Sequence, residues 1–247
     1  MRLVSGAGSE TKGACWMSAL HWYTRGKTKS WTDQPECVSP IVRDLAIKFN
    51  DTLRSDAERE EVIGPNLFAP VGTKTTAEDE ETRKAICADR AIHVFAPYWM
   101  RKTGAPELLA HAKRLEDYPP IKTREDAKRA LAFMDEVHKK EKHASAYASA
   151  YAYASAYASA SAYAYASAYA SAYAYAYAYA SAYASAYAYA YAYASASFTE
   201  ADRTWFKAEI IRLILDLCAV GRQAEEAVAT KSRSEVMEFL CSFDRKS

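Results

Sequence analysis

Among the residues of this chain that could supply a nucleophile or a general base are its five cysteines and five histidines, whose ordinary pKa values lie nearest neutral pH. One of them is well placed for such work. In "GACWMSALHWY", Cys15 follows a glycine-containing stretch and opens a segment of helical character. The partial positive charge at a helix start lowers a thiol's pKa. Papain-like enzymes set their nucleophile in this way, and the "CW" pair is reminiscent of them. A nucleophilic cysteine also needs a base. His93, in "DRAIHVFAP", is the attractive candidate, although it lies on a predicted helix where such enzymes commonly use a strand. His21 is closer in sequence, but its spacing along a helix does not turn it toward Cys15. The competing reading makes Cys15 a small buried residue among Trp16, Met17, Leu20 and Trp22, as cysteines often are. That reading is preferred.

The other polar clusters carry less. Cys37, Cys87, Cys218 and Cys241 are widely spaced, form no C-x-x-C pair, and do not suggest zinc. Glu78, Asp79, Glu80 and Glu81 read as a solvated helix start rather than a cation site. No metal and no cofactor is implied. Lys+Arg (32) and Asp+Glu (31) nearly cancel, so no global field draws nucleic acid or an anionic membrane. Lys139, Lys140, Lys142 and His143 form a local basic edge beside many tyrosines, which supports nucleic-acid binding only weakly. The opening "MRLVSGAGSETKG" lacks the apolar core of a signal peptide, and no segment resembles a membrane span. A cytoplasmic location is the expectation.

Helices must position these residues. Residues 1–12 read as a flexible lead-in, followed by a short helix in "ACWMSALHWY". Ser39 and Pro40 predict an N-cap and first helical position, with Val42, Leu45, Phe49 and Leu53 as the buried stripe. A brief helix, "DAEREEVI", precedes a loop anchored by Leu67 and Phe68. Thr76 caps a helix whose stripe is Ala85, Ala88, Ile92, Phe95 and Trp99, and Pro97 ends or kinks it. Pro106 opens another helix, and Thr123 caps one with Ala127, Leu131, Met134 and Val137 inward. Thr199 caps "EADRTWFKAEIIRLILDLCAV", with Phe206, Ile210, Leu213, Leu217 and Val220 inward and Gly221 just past its end. A final amphipathic segment is "SEVMEFLCSF".

Between these helices, residues 144–197 alternate strictly, with Ala at every even position and Ser or Tyr at every odd one. Alternation is a strand signal, and a silk-like β layer is the alternative reading. Helix is preferred. Ala is the best helix former, Ser and Tyr cost only about 0.5 kcal/mol each, and the segment holds no Gly, Pro, Asn or Asp to turn on. As one helix it would be about 80 Å long and would show tyrosine on every side. The block "SAYASAYAYAYAYA" occurs at 167–180 and again at 181–194, which points to repeat expansion as one source of the regularity.

Four stretches carry a resemblance: "GACWMSAL", "WTDQPECVSPIVRDLAIKFND", "REEVIGPNLFAPVGT" and "CADRAIHVFAP". Over about residues 13–120 the chain resembles a group of uncharacterised bacteriophage and bacterial proteins. It is more loosely similar to Ala-rich helical proteins described as immunity proteins. The resemblance implies a helical form and an Ala-rich segment before a C-terminal amphipathic helix. It implies no activity and no catalytic residue.

The sequence thus predicts a mainly α fold with a flexible 1–12, a helical domain at 13–143, the repeat at 144–197, and C-terminal helices at 198–247 packing on the N-terminal domain. The predicted role is that of a phage-type accessory protein acting by binding, in the host cytoplasm if phage-encoded. Its partner is another protein or a second copy of itself. The tyrosines of the repeat, notably Tyr173, Tyr175, Tyr177, Tyr179, Tyr187, Tyr189, Tyr191 and Tyr193, would supply the binding surface. The alternatives are a Cys15–His93 hydrolase or transferase and a self-assembling cross-β structural protein.

Overall fold

The computed structural model describes residues 2–6, 8–9, 12–25, 32–103, 106–130, 133 and 199–221. Those residues are mainly helical, with one two-stranded sheet, as the sequence predicts. The repeat at 144–197, its eight singled-out tyrosines, the basic cluster at 139–143 and the last amphipathic segment lie outside the described residues. The chain divides into two compact units, Met1–Thr76 with Thr204–Ser247, and Ala77–Arg203.

The first unit begins with backbone pairing. Strands β1 (Gly8–Ser9) and β2 (Gly13–Ala14) are antiparallel, and Leu3 bridges Ala14 in parallel on the other side. Val4 N–H donates to the Ala14 carbonyl and Ala14 N–H to the Arg2 carbonyl, both at 2.9 Å. Leu3 is fully buried. The described part of the expected flexible lead-in is therefore structured. Two glycines allow the close backbone approach: a Cβ at Gly8 would lie 2.1 Å from the Gly13 carbonyl oxygen, and one at Gly13, whose φ is +113°, 2.6 Å from that of Arg2.

Three helices follow in this unit: α1 (Trp16–Arg25), α2 (Pro40–Thr52) and α3 (Asp56–Ile63). At α2 the Ser39 side chain accepts from Val42 N–H, with Pro40 at the helix start. Val42, Leu45, Phe49 and Leu53 are buried as their spacing predicts. The other end of α2 is closed by a buried arginine from α3. Arg59 donates to the carbonyls of Asn50 (2.9 Å) and Leu53 (2.5 Å) and pairs with Asp56. Those carbonyls lie where a helix runs out of its own donors. From α7 (Glu200–Ala219), the buried Phe206, Ile210, Leu213 and Leu217 belong to this unit, with Val220 half-buried. Gly221 has a φ of +73°, as a residue just past a helix end often does.

The second unit contains α4 (Ala77–Arg90), a π-helical segment (Ala91–Phe95), α5 (Ala96–Thr103), α6 (Pro106–Glu116) and helical residues 124–130. Pro97 is expected to end or kink the helix, and just before it the regular helix gives way to a wider π turn. Proline offers no N–H to the carbonyl four residues back. Ala96 N–H bonds the Ala91 carbonyl five residues back, and a new α-helix starts with Pro97 in its first turn. Helices α5 and α6 pack against each other and against the π segment. Ala88, Ile92, Phe95, Met100, Ala112, Leu115 and Ile121 are buried here.

Candidate functional site

Cys15 stands immediately before α1 and acts as its cap. Its carbonyl accepts from Ala19 N–H at 2.9 Å and its Sγ from Ser18 N–H at 3.4 Å. Ser18 Oγ lies 3.3 Å from the sulfur, and the thiol is buried. Burial pushes the thiol's pKa up and the nearby Asp33 charge adds to this, outweighing the Ser18 bonds that oppose it. A group held in the thiol form is a poor nucleophile. Cys15 does stand at a helix start, as the sequence predicts, but burial keeps it in the thiol form.

The residues around Cys15 instead tie the first unit together. Trp16 Nε1 donates to the Leu67 carbonyl at 2.9 Å, and Trp16 N–H to Asn50 Oδ1 at 3.3 Å. Asn50 Nδ2 donates to the Val4 carbonyl at 2.8 Å. Ser39 N–H donates to Thr73 Oγ1 at 2.9 Å, and Lys74 N–H to the Cys37 carbonyl at 3.1 Å. Three of the four stretches that stand out in the sequence thus bond to one another within one unit.

His93 belongs to the other unit, on the π segment. Its Nε2 lies 2.7 Å from the Tyr118 carbonyl oxygen and its Nδ1 3.0 Å from the Asp89 carbonyl oxygen. Both ring nitrogens therefore have internal partners. Among the described residues, no group of three His, Cys, Asp or Glu side chains could hold a metal ion. None of the described helices is long and apolar enough to cross a membrane.

The second unit also holds the chain at Phe133, the last described residue before the repeat, and at Thr199 and Asp202 after it. Upstream, Phe133 lies against the Tyr118 ring at 5.3 Å, and the Arg114 guanidinium covers Phe133 at 4.7 Å. Thr123 and Asp126 cap the helical residues between these contacts reciprocally, at 3.2 and 2.8 Å. Downstream, Thr199 N–H donates to Asp202 Oδ2 at 3.0 Å, and Asp202 N–H to Thr199 Oγ1 at 3.2 Å. Asp202 Oδ1 takes the Tyr98 hydroxyl and, at 2.5 Å, the Lys102 ammonium.

Burial alone would raise the Asp202 carboxyl's pKa, but the donors from Lys102, Thr199 and Tyr98 outweigh it and hold the group well below the usual carboxylate range. Tyr98 is pushed up by burial and by its bond to that carboxylate, so it remains a hydroxyl donor. The caps Thr123 and Thr199 are readable as local signals. Tyr98, Lys102, Arg114 and Phe133 are not, because their partners lie far along the chain.

No family model matches this chain, and no curated protein and no solved structure matches it either.

Proposed function

We propose that this protein is a phage-type accessory protein that works by binding, with the Ala–Tyr/Ser repeat as the element that meets its partner. The supporting observation is that the chain is tied down within one compact unit at Phe133, the last described residue before the repeat, and at Thr199–Asp202, just after it. Phe133 is held by Tyr118 and Arg114, and Thr199–Asp202 by Tyr98 and Lys102. A repeat without a single charged side chain, set between two such anchors, suits presentation to another surface. Tyrosine is enriched at interface cores because its ring buries apolar area while its hydroxyl keeps a hydrogen bond. The partner in this reading is a protein surface, a second copy of the chain included.

The test replaces 144–197 with a Gly/Ser linker and, separately, changes Tyr173, Tyr175, Tyr177, Tyr179, Tyr187, Tyr189, Tyr191 and Tyr193 to Ser. Ser and Tyr have similar helix propensity, so the second variant isolates the rings. Association is read by light scattering and by tyrosyl crosslinking of the full chain, with circular dichroism as the check on folding. Wild type forms crosslinked species that both variants lose while their helical signal outside the repeat persists. Equal association in all three chains would overturn the reading.

A further inference from the structure

Helix α7 turns a nearly uncharged face to solvent. At 3.6 residues per turn, Ala208, Ile211, Arg212, Leu215 and Ala219 fall on the side opposite the buried Phe206, Ile210, Leu213 and Leu217. Between Ala208 and Ala219 the exposed residues are Ala208, Arg212, Leu215 and Ala219, with Ile211 half-buried beside them. Leu215 is one of two exposed large apolar side chains among the described residues. A helix at a surface ordinarily lines its outer side with charged and polar groups. Here that side carries one charge, Arg212.

The chain itself holds a segment that fits this face. Helix α7 ends at Ala219, and Gly221, with a φ of +73°, takes the left-handed conformation that turns a chain off its helix axis. Beyond it, outside the described residues, lies "SEVMEFLCSF" at 234–243. In a helical register Val236, Met237, Phe239, Leu240 and Phe243 share one side of it, and Glu235, Glu238 and Ser242 the other. Such a helix would span about 15 Å, and Ala208–Ala219 spans about 17 Å, so the two apolar faces match in length. Residues 222–233 reach about 40 Å when extended, more than the roughly 30 Å of α7, so the connection sets no limit. Charge agrees as well. The segment holds two glutamates and no base, while the Arg212 side chain is 59% exposed and keeps guanidinium donors beyond the one that meets Glu209. The tether favours this occupant over a second copy, because a short linker holds its segment at an effective concentration on the order of millimolar.

We propose that residues 234–243 fold back as a helix on the outer face of α7, with Val236, Phe239, Leu240 and Phe243 against Ala208, Ile211, Leu215 and Ala219. Docking takes Leu215 out of water and sets Glu235 or Glu238 beside Arg212. It is independent of the repeat and of the binding role proposed above.

The experiment places a reporter thiol on the face. In the full chain, Leu215→Cys is made alone and together with Phe239→Asp and Leu240→Asp. Peptide mass spectrometry after timed iodoacetamide pulses reads the labelling rate at position 215, and Cys37 in the same digest checks that the fold is unchanged. The single variant should label roughly tenfold more slowly than the triple variant, as expected when a local opening must precede reaction. Its rate should stay the same over about a hundredfold dilution, since a tethered segment does not dilute away. Equal rates in the two chains would overturn the docking. Protection that fades on dilution would overturn it too, and would assign the face to a second copy. Should Leu215→Cys fail to fold, Ala208→Cys reads the same face with the same outcomes. Neither result bears on the binding role, which is read by association of the repeat variants.

Discussion

Replacing Asp202 by Asn tests whether the downstream flank is anchored by charge. The substitution keeps the side chain's shape and part of its capping capacity, since Asn also caps helices. It removes the negative charge that accepts from Lys102, Tyr98 and Thr199. The donors hold the Asp202 carboxyl low, so its ionised form stabilises the fold at neutral pH. The Lys102 side chain is 47% exposed, so its share is reduced by solvent. A loss of about 1–2 kcal/mol at pH 7 is the resulting expectation. The sign of the pH dependence follows from the lowered carboxyl. Its stabilisation is complete above the unfolded carboxyl's pKa of about 3.9 and fades as pH falls toward the folded value. Urea denaturation followed by circular dichroism should therefore show a gap between wild type and Asp202→Asn at pH 7 that narrows in acid. A gap below about 0.5 kcal/mol, or one of equal size at both pH values, would refute the anchoring argument.

Two further outcomes are expected. In the folded protein at neutral pH, Cys15 should resist alkylation while the half-buried Cys37 reacts faster, because burial raises the Cys15 thiol and blocks access; peptide mass spectrometry after a timed iodoacetamide pulse reads the two rates, and fast labelling of Cys15 would revive the nucleophile reading. Gly13→Ala should destabilise by about 1–3 kcal/mol or more, since its left-handed backbone and the Arg2 carbonyl both oppose a side chain. Thermal unfolding checks this, and an unchanged midpoint would mean that the N-terminal pairing does not form.

What was legible in the sequence and what was not divides by the reach of the interactions. Ser39 with Pro40, Thr123 with Asp126, and Thr199 with Asp202 act within a few residues of themselves, so type and spacing suffice to read them. The stripe Val42, Leu45, Phe49 and Leu53 is equally local, because helical period alone puts these side chains on one face. The Trp16 indole bonded to the Leu67 carbonyl, and Tyr98 bonded to Asp202, are closures between distant positions, and no local pattern encodes them. The glycine-rich opening is ambiguous for the same reason: its composition suits a mobile chain and a tight backbone crossing alike, and Asn50 and Ala14 decide between them.

Cys15 shows the limit most sharply. A small residue before a helix start is a cap or an activated thiol according to its surroundings, and here desolvation outweighs the hydrogen bonds that favour the thiolate. The same reasoning bears on the repeat. Strict alternation specifies no long-range partner for any one position, so positional information has to come from the flanks. Those flanks are where the unit places its buried carboxylate, Asp202, and its guanidinium-covered ring, Phe133. An element whose own sequence is nearly uniform can vary in length between such anchors without disturbing them, which is the tolerance a duplicated fourteen-residue block requires.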